Sequence, residues 1–242
     1  RLLLDRAGLV GGDGAVHHGF CDIALLRTLP GAAIMAAVDE PSLRAAMEFM
    51  RSYEDGLSSV RYPRDHVSNR LATLGCPPFE MGRARCLTPD ITEPDVAVLA
   101  LGTPAITALD AAASLGGEYR VCVYDARFAK PVDAGLVRDL LERHTPIVTL
   151  EDHSLIGGFG AAVLEAAQEL GLDASRVIRL GLPDYWVHQD SRSRQLAEVG
   201  LDVAGIARAV RQAALLRDKP VSIPDDTSVS RAGATKPVAT PR

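Results

Sequence analysis

The residue types best suited to chemistry are concentrated between Asp5 and Gly19. Asp5-Arg6-Ala7-Gly8 is followed by Gly11-Gly12-Asp13-Gly14 and then by His17-His18-Gly19. A guanidinium, a carboxylate and two imidazoles on glycine-loosened backbone can converge on a small polar substrate. Asp13 precedes His17 by four residues, so a tight turn would bring both to one carbonyl and its hydroxyl. There the imidazole would give or take a proton, and the carboxylate would orient the hydroxyl or the ring. The plainer alternative is an Asp-Gly turn with two exposed polar histidines. Metal binding by His17-His18 is disfavoured, because adjacent side chains diverge and no second Cys/His/Asp cluster has ligand spacing.

Arg6 and Arg64 form a second candidate pair. Each follows a short apolar or β-prone run, Leu2-Leu3-Leu4 and Ser58-Ser59-Val60, so both are expected at the same carboxyl end of a sheet. Open α/β sheets bind ligands at that end. Two converging guanidiniums suit a phosphate through forked hydrogen bonds that lysine cannot copy. Surface ion pairs with Asp5 or Asp65 are the competing reading. Gly157-Gly158-Phe159-Gly160 has the look of a dinucleotide turn but lacks the third spaced glycine and a ribose-binding acid, so a tight strand-to-helix connection is expected. Glu151-Asp152-His153, just before it, is read as either polar interface or loop.

The elements that must position these groups alternate. In the first region Ala32 to Ala36 reads as a strand, and Asp39 as the cap of a helix with Pro41 in its first turn and a Leu43, Ala46, Met47, Met50 stripe. Ser58 to Tyr62 is a strand that Pro63 ends. From Asp95 onward, strands at 96–101, 120–125, 146–150 and 177–180 alternate with helices at 104–115, 133–143, 161–170 and 203–216. That alternation implies right-handed crossovers and a mostly parallel sheet. Residues 72–94 lack periodicity, carry four prolines and read as an interdomain linker. Residues 218–242, rich in Pro, Ser, Thr and charge, read as a disordered tail.

Composition narrows the functional class. The 242 residues are 47% hydrophobic and 24% charged with net charge −5, the profile of a globular protein with no basic surface for nucleic acid or anionic membrane. No apolar run reaches membrane-spanning length. Cys21, Cys76, Cys86 and Cys122 contain no CxxC pair, which favours a reduced, cytoplasmic protein over disulfides or zinc. The chain opens in a strand without a preceding cap, from which further upstream sequence is expected.

Several motifs in one order carry a resemblance. Asp5-Arg6-Ala7-Gly8-Leu9-Val10-Gly11, Asp13-Gly14, His17-His18-Gly19 and Arg61-Tyr62-Pro63-Arg64 resemble the thiamine-diphosphate-dependent transketolase superfamily. The branch they resemble joins pyruvate to glyceraldehyde 3-phosphate as 1-deoxy-D-xylulose 5-phosphate. Asp125 to Pro131, Glu151-Asp152, the Gly157 to Gly160 loop, Gly181 to Asp184 and Leu196 to Asp202 agree with it. The resemblance implies an α/β fold. Residues 1–71 would be part of a pyrimidine-binding domain, and residues 95–217 a complete transketolase C-terminal domain. It also implies thiamine diphosphate with Mg2+, a homodimer in the full-length enzyme, and pyruvate and glyceraldehyde 3-phosphate as substrates. Arg6 and Arg64 fall on the arginines that hold the acceptor's phosphate, and Asp13 and His17 on the active-site acid and histidine. The diphosphate and metal motif and the activating glutamate belong to parts of the pattern before Arg1, so this piece alone is expected to be inactive. Two positions depart from the pattern: Val16 replaces Thr, and Asp65 replaces Gly. A 2-oxo-acid dehydrogenase β-subunit, a split transketolase and a non-catalytic assembly module are the alternatives.

Overall fold

Short β-branched and alanine-rich runs bounded by glycine, proline and aspartate give short buried strands joined by helices. The computed structural model describes residues 1–217; the tail expected over 218–242 lies outside the described residues. In chain order come β1 (Leu2–Leu4), α1 (Asp22–Leu26), β2 (Ala33–Ala36), α2 (Glu40–Ser52), β3 (Ser58–Arg61) and β4 (Arg85–Cys86). The second half contains β5 (Val96–Leu101), α3 (Pro104–Ser114), β6 (Val121–Asp125), β7 (Phe128–Lys130), α4 (Ala134–Glu142) and β8 (Ile147–Ser154). It ends with α5 (Phe159–Glu169), β9 (Val177–Leu182), α6 (Arg192–Glu198) and α7 (Val203–Ala214).

The strands form two mostly parallel sheets, as the α/β reading requires, ordered β1-β3-β2-β7 and β4-β6-β5-β8-β9. Within the first, β3 pairs in parallel with β1 and β2, and β7 joins antiparallel to β2. Strand β7 is contributed by the later half of the chain, so the first sheet is closed by a distant segment. In the second sheet β4, which lies inside the span read as a linker, pairs antiparallel with β6.

Local chemistry explains the best-formed helices. Asp39 accepts a hydrogen bond from the Ser42 N–H while the Ser42 hydroxyl accepts one from the Asp39 N–H, a reciprocal cap on α2 worth about 1 kcal/mol. Asp133 caps α4 through the Leu136 N–H, and Asp202 caps α7 through the Gly205 N–H. One apolar cluster runs through Ile34 and Ala36 of β2, Ala97, Leu99 and Leu101 of β5, and Phe159 and Val163 of α5. The two sheets therefore share a core. Each large side chain buried there contributes about 1.5–3 kcal/mol, so the sheets hold one another in place.

Beneath the β4–β6 edge lies a buried charged cluster. Asp125 is fully buried; one carboxylate oxygen accepts from the Arg127 N–H at 3.1 Å and the other lies 3.8 Å from Arg127 Nε. Burial, opposed by Arg127 and Arg85, pushes the Asp125 carboxyl up to about 7. The folded state thus holds this proton at pH values where the unfolded chain has lost it. Stability from this group is complete below about pH 4 and is lost as pH rises toward 7. Asp125→Asn should remove this slope. In urea titrations from pH 4 to 8, the parent should lose about 1–3 kcal/mol relative to the variant. Parallel pH profiles would overturn the assignment.

Candidate active site

The segment after β1 is forced into an unusual path. Arg6 adopts φ 56°, a left-handed conformation that costs a non-glycine residue roughly 1 kcal/mol or more. Cross-links hold it: the Ala7 N–H donates to the Tyr62 carbonyl, and Gly8 and Gly19 exchange backbone bonds at 2.9 Å. Gly19 has to be glycine, because a Cβ there would stand 2.4 Å from the Arg6 carbonyl oxygen. Two short 3-10 turns, Gly11–Asp13 and Ala15–His17, then carry the acid and the histidine.

This path brings the four predicted residues together. Asp13 Oδ2 lies 3.3 Å from Arg6 Nη1 and accepts a hydrogen bond from Arg64 Nη1. Both guanidiniums thus share one carboxylate oxygen. The competing reading, surface ion pairs with Asp5 or Asp65, is not what forms: both arginines pair with Asp13. The Arg64 guanidinium beside Asp13 holds its carboxyl below the usual range, with Arg6 and His17 adding to the effect. The arginine side chains stay 43% and 58% exposed, so the shared anion position is open to solvent.

The neighbouring histidines have separate roles. His17 is exposed, and its Nδ1 lies 2.9 Å from the Asp13 carbonyl oxygen. A carbonyl only accepts, so Nδ1 carries the proton and Nε2 presents a lone pair on the exposed ring. His18 is buried, with Nδ1 accepting from the Val10 N–H and Nε2 3.1 Å from the Val187 carbonyl. Both of its nitrogens are used in holding the loop.

Sequence reasoning missed the brace from the C-terminal half. Gln195 Oε1 accepts from the Gly11 N–H at 2.8 Å, and Gln189 Nε2 donates to the Gly12 carbonyl at 2.7 Å. Arg192 Nε donates to the Leu9 carbonyl at 2.9 Å, Nη1 reaches Asp65 at 2.7 Å and Nη2 reaches Asp152 at 2.7 Å. Asp152 also accepts from the Leu9 N–H, and Gly8 presses so closely that a Cβ there would stand 2.0 Å from Asp152 Cγ. A polar cluster next to a glycine loop is the only signal the sequence offered, since all of these partners except Arg192 and Asp152 are more than 100 residues apart.

Glu151-Asp152-His153 lies on β8 and is buried. The Glu151 carboxylate accepts from the Phe159 and Gly160 N–H groups at 2.6 and 2.8 Å. An internal carboxylate therefore fills the anion position at the start of α5, and a Cβ on Gly158 would stand 2.2 Å from it. The glycine loop is a tight strand-to-helix connection. Burial holds the His153 imidazole neutral, down to about 4.

A cavity of about 500 Å3 lies beside the site at the carboxyl ends of β2, β3 and β5. Asp65, His66, Tyr62 and Arg192 line it; Arg6, Asp13, His17 and Arg64 do not. Among the described residues no group of three or more His, Cys, Asp or Glu is placed to hold a metal ion, and no helix is long and apolar enough to cross a membrane.

Fold and site together define a class. Residues 1–69 match the transketolase pyrimidine-binding domain and residues 88–206 the transketolase C-terminal domain, and the chain belongs to the transketolase family. Within it, the chain is 43% identical over 211 residues to 1-deoxy-D-xylulose-5-phosphate synthase of Anaeromyxobacter sp. (strain Fw109-5), covering 86% of this chain and 33% of that protein. It is 40% identical over 226 residues to the synthase of Synechococcus sp. (strain JA-2-3B'a(2-13)), covering 91% and 34%. The chain thus spans about a third of the length of these relatives. Among solved structures, a split-gene transketolase described as an inactive β4 tetramer superposes with TM-score 0.71 at 29% identity, over 89% of this chain and 66% of that one. Transketolase from Leishmania mexicana shares the fold, with TM-score 0.65 at 18% identity over 88% of this chain and 30% of that one.

Proposed function

We propose that this chain is the acceptor-binding portion of a 1-deoxy-D-xylulose-5-phosphate synthase, acting on pyruvate and glyceraldehyde 3-phosphate in a homodimeric enzyme. The observation that carries this reading is the single anion position shared by Arg6 and Arg64. A phosphate oxygen there would be held by charge-assisted bonds from both sides, with Asp13 yielding the place. Asp13 then becomes available to the acceptor's hydroxyl, and His17 Nε2 moves a proton at its aldehyde oxygen. Membership of the family implies thiamine diphosphate as cofactor. Among the described residues no group of acids is placed to hold its Mg2+, and the acids at this site are paired with arginine. The roles assigned here are therefore confined to the acceptor.

The test is substrate-selective. In the chain assembled with a cofactor-binding polypeptide, Arg64→Ala should raise KM for glyceraldehyde 3-phosphate about 10- to 100-fold, the loss of a charge-assisted contact of roughly 1.5–3 kcal/mol. KM for pyruvate should stay nearly constant. Equal damage to both would make Arg64 structural. The split-gene transketolase match supports a second reading, a subunit of a two-chain enzyme of the same family. Product analysis separates the two, since a transketolase takes its two-carbon unit from a ketose and does not consume pyruvate.

A further inference from the structure

We infer that Arg192 is a positioning residue for the anion site: it sets the spacing of the two loops that carry Arg6 and Arg64 and keeps the Asp65 carboxylate away from Arg64. The inference rests on the reading of Arg6 and Arg64 as a phosphate clamp. It concerns a residue from α6 that does not touch the anion position.

The geometry is specific. Arg192 projects from the first turn of α6, and three of its guanidinium nitrogens meet three acceptors. Nε meets the Leu9 carbonyl, in the loop between Arg6 and Asp13. Nη1 meets Asp65, the residue next to Arg64. Nη2 meets buried Asp152 at the end of β8. A planar fork with fixed angles holds three partners at a set separation, which a single ammonium cannot do. The side chain is only 17% exposed, so solvent screens these contacts weakly.

Charge gives the second part of the argument. Asp65 places an acid beside an arginine whose task is to attract an anion, and its free carboxylate would compete with the ligand for Arg64. Both its oxygens are engaged elsewhere: Oδ1 accepts from the His66 N–H at 2.7 Å and Oδ2 from Arg192 at 2.7 Å. Arg64 is thereby left to Asp13 and the anion position. Arg192 faces Asp152 and Asp65, and Asp152 in turn faces the Leu9 N–H, so the two acids share one cation and a backbone donor.

The experiment titrates the 242-residue chain with inorganic phosphate, followed by NMR shifts of the His17 ring. Arg64→Ala, run alongside, should weaken phosphate at least about tenfold. Arg192→Ala should weaken it about three- to tenfold, and the Arg192→Ala/Asp65→Asn double variant should recover only part of that loss, because removing the acid does not restore the loop spacing; full recovery would overturn the spacing role. Asp65→Asn alone should change little, because Arg192 already neutralises that acid. Arg192→Lys retains a cation for Asp152 and so guards against misfolding; it should still weaken phosphate, since it cannot span all three acceptors. If Arg64→Ala has no effect, the phosphate-clamp reading falls and this inference with it. If Arg64→Ala weakens binding but Arg192→Ala and Arg192→Lys do not, Arg192 has no positioning role. Failure of Asp65→Asn to restore binding overturns the charge-holding role.

Discussion

Turnover of the assembled enzyme should fall about 100- to 10,000-fold when His17 becomes alanine, the range typical of a positioned acid or base. The expectation comes from the tautomer. With Nδ1 donating to the Asp13 carbonyl, Nε2 of an exposed ring is the basic atom, beside the anion position shared by Arg6 and Arg64. His17→Gln can mimic some hydrogen bonding but cannot move a proton, so it should restore little. His18 provides the control. Its two nitrogens join Val10 and Val187, so His18→Ala should cost about 1–3 kcal/mol of stability. Its kcat at low temperature should stay within a few-fold of the parent. Steady-state kinetics and denaturant melts of both variants decide the matter. Unchanged kcat in His17→Ala, or a collapse confined to His18→Ala, would overturn the assignment.

Arg61→Ala should be the most destabilising single change in the site's scaffold, by about 3–5 kcal/mol, the usual cost of breaking a buried charge pair. Arg61 ends β3 at 3% exposure. Its Nε and Nη2 grip the two oxygens of Asp22 at 2.9 and 3.2 Å, and Nη2 also donates to the Gly19 and Asp152 carbonyls at 3.0 and 3.1 Å. Alanine leaves a mostly buried carboxylate and two carbonyls without their donor. Arg61→Lys should recover less than half of the loss, since one ammonium cannot meet four oxygens in a fork. Urea unfolding near neutral pH measures both variants. A loss below about 1 kcal/mol for Arg61→Ala would mean that water replaces the guanidinium without penalty.

Arg61 also shows where sequence reading stopped. It stands next to Tyr62-Pro63-Arg64, yet its role as the buried tie between the two sheets depends on Asp22 and on the backbone of β8, neither of which is near it in sequence. Strand β7 is a similar case. Three residues after the left-handed Arg127 carry too little pattern to announce a strand, and their pairing with β2 reaches across about ninety positions. The short α6 was hidden in the same way: seven residues with two arginines show little periodicity, and the helix matters through Arg192 and Gln195, which reach partners at positions 9 to 11.

Local rules legible in the chain itself decided the α/β alternation, the caps at Asp39 and Asp133, and most of the inward stripe of α2, although Met47 of that stripe is exposed and Ser42 is buried in its place. They also decided the choice of Arg6, Asp13, His17 and Arg64 as the residues to watch. Those features depend on spacings of two to four residues, which backbone geometry turns directly into faces and turns. Tertiary structure alone decided that Asp13 lies between Arg6 and Arg64, that His17 is exposed while His18 is sealed in, and that Glu151 fills the glycine loop. It also decided that α6 braces a loop more than 180 positions away. Each of those outcomes is a contact between segments whose separation is set by the shared core of the two sheets, and burial makes such contacts specific by penalising every unpaired polar group.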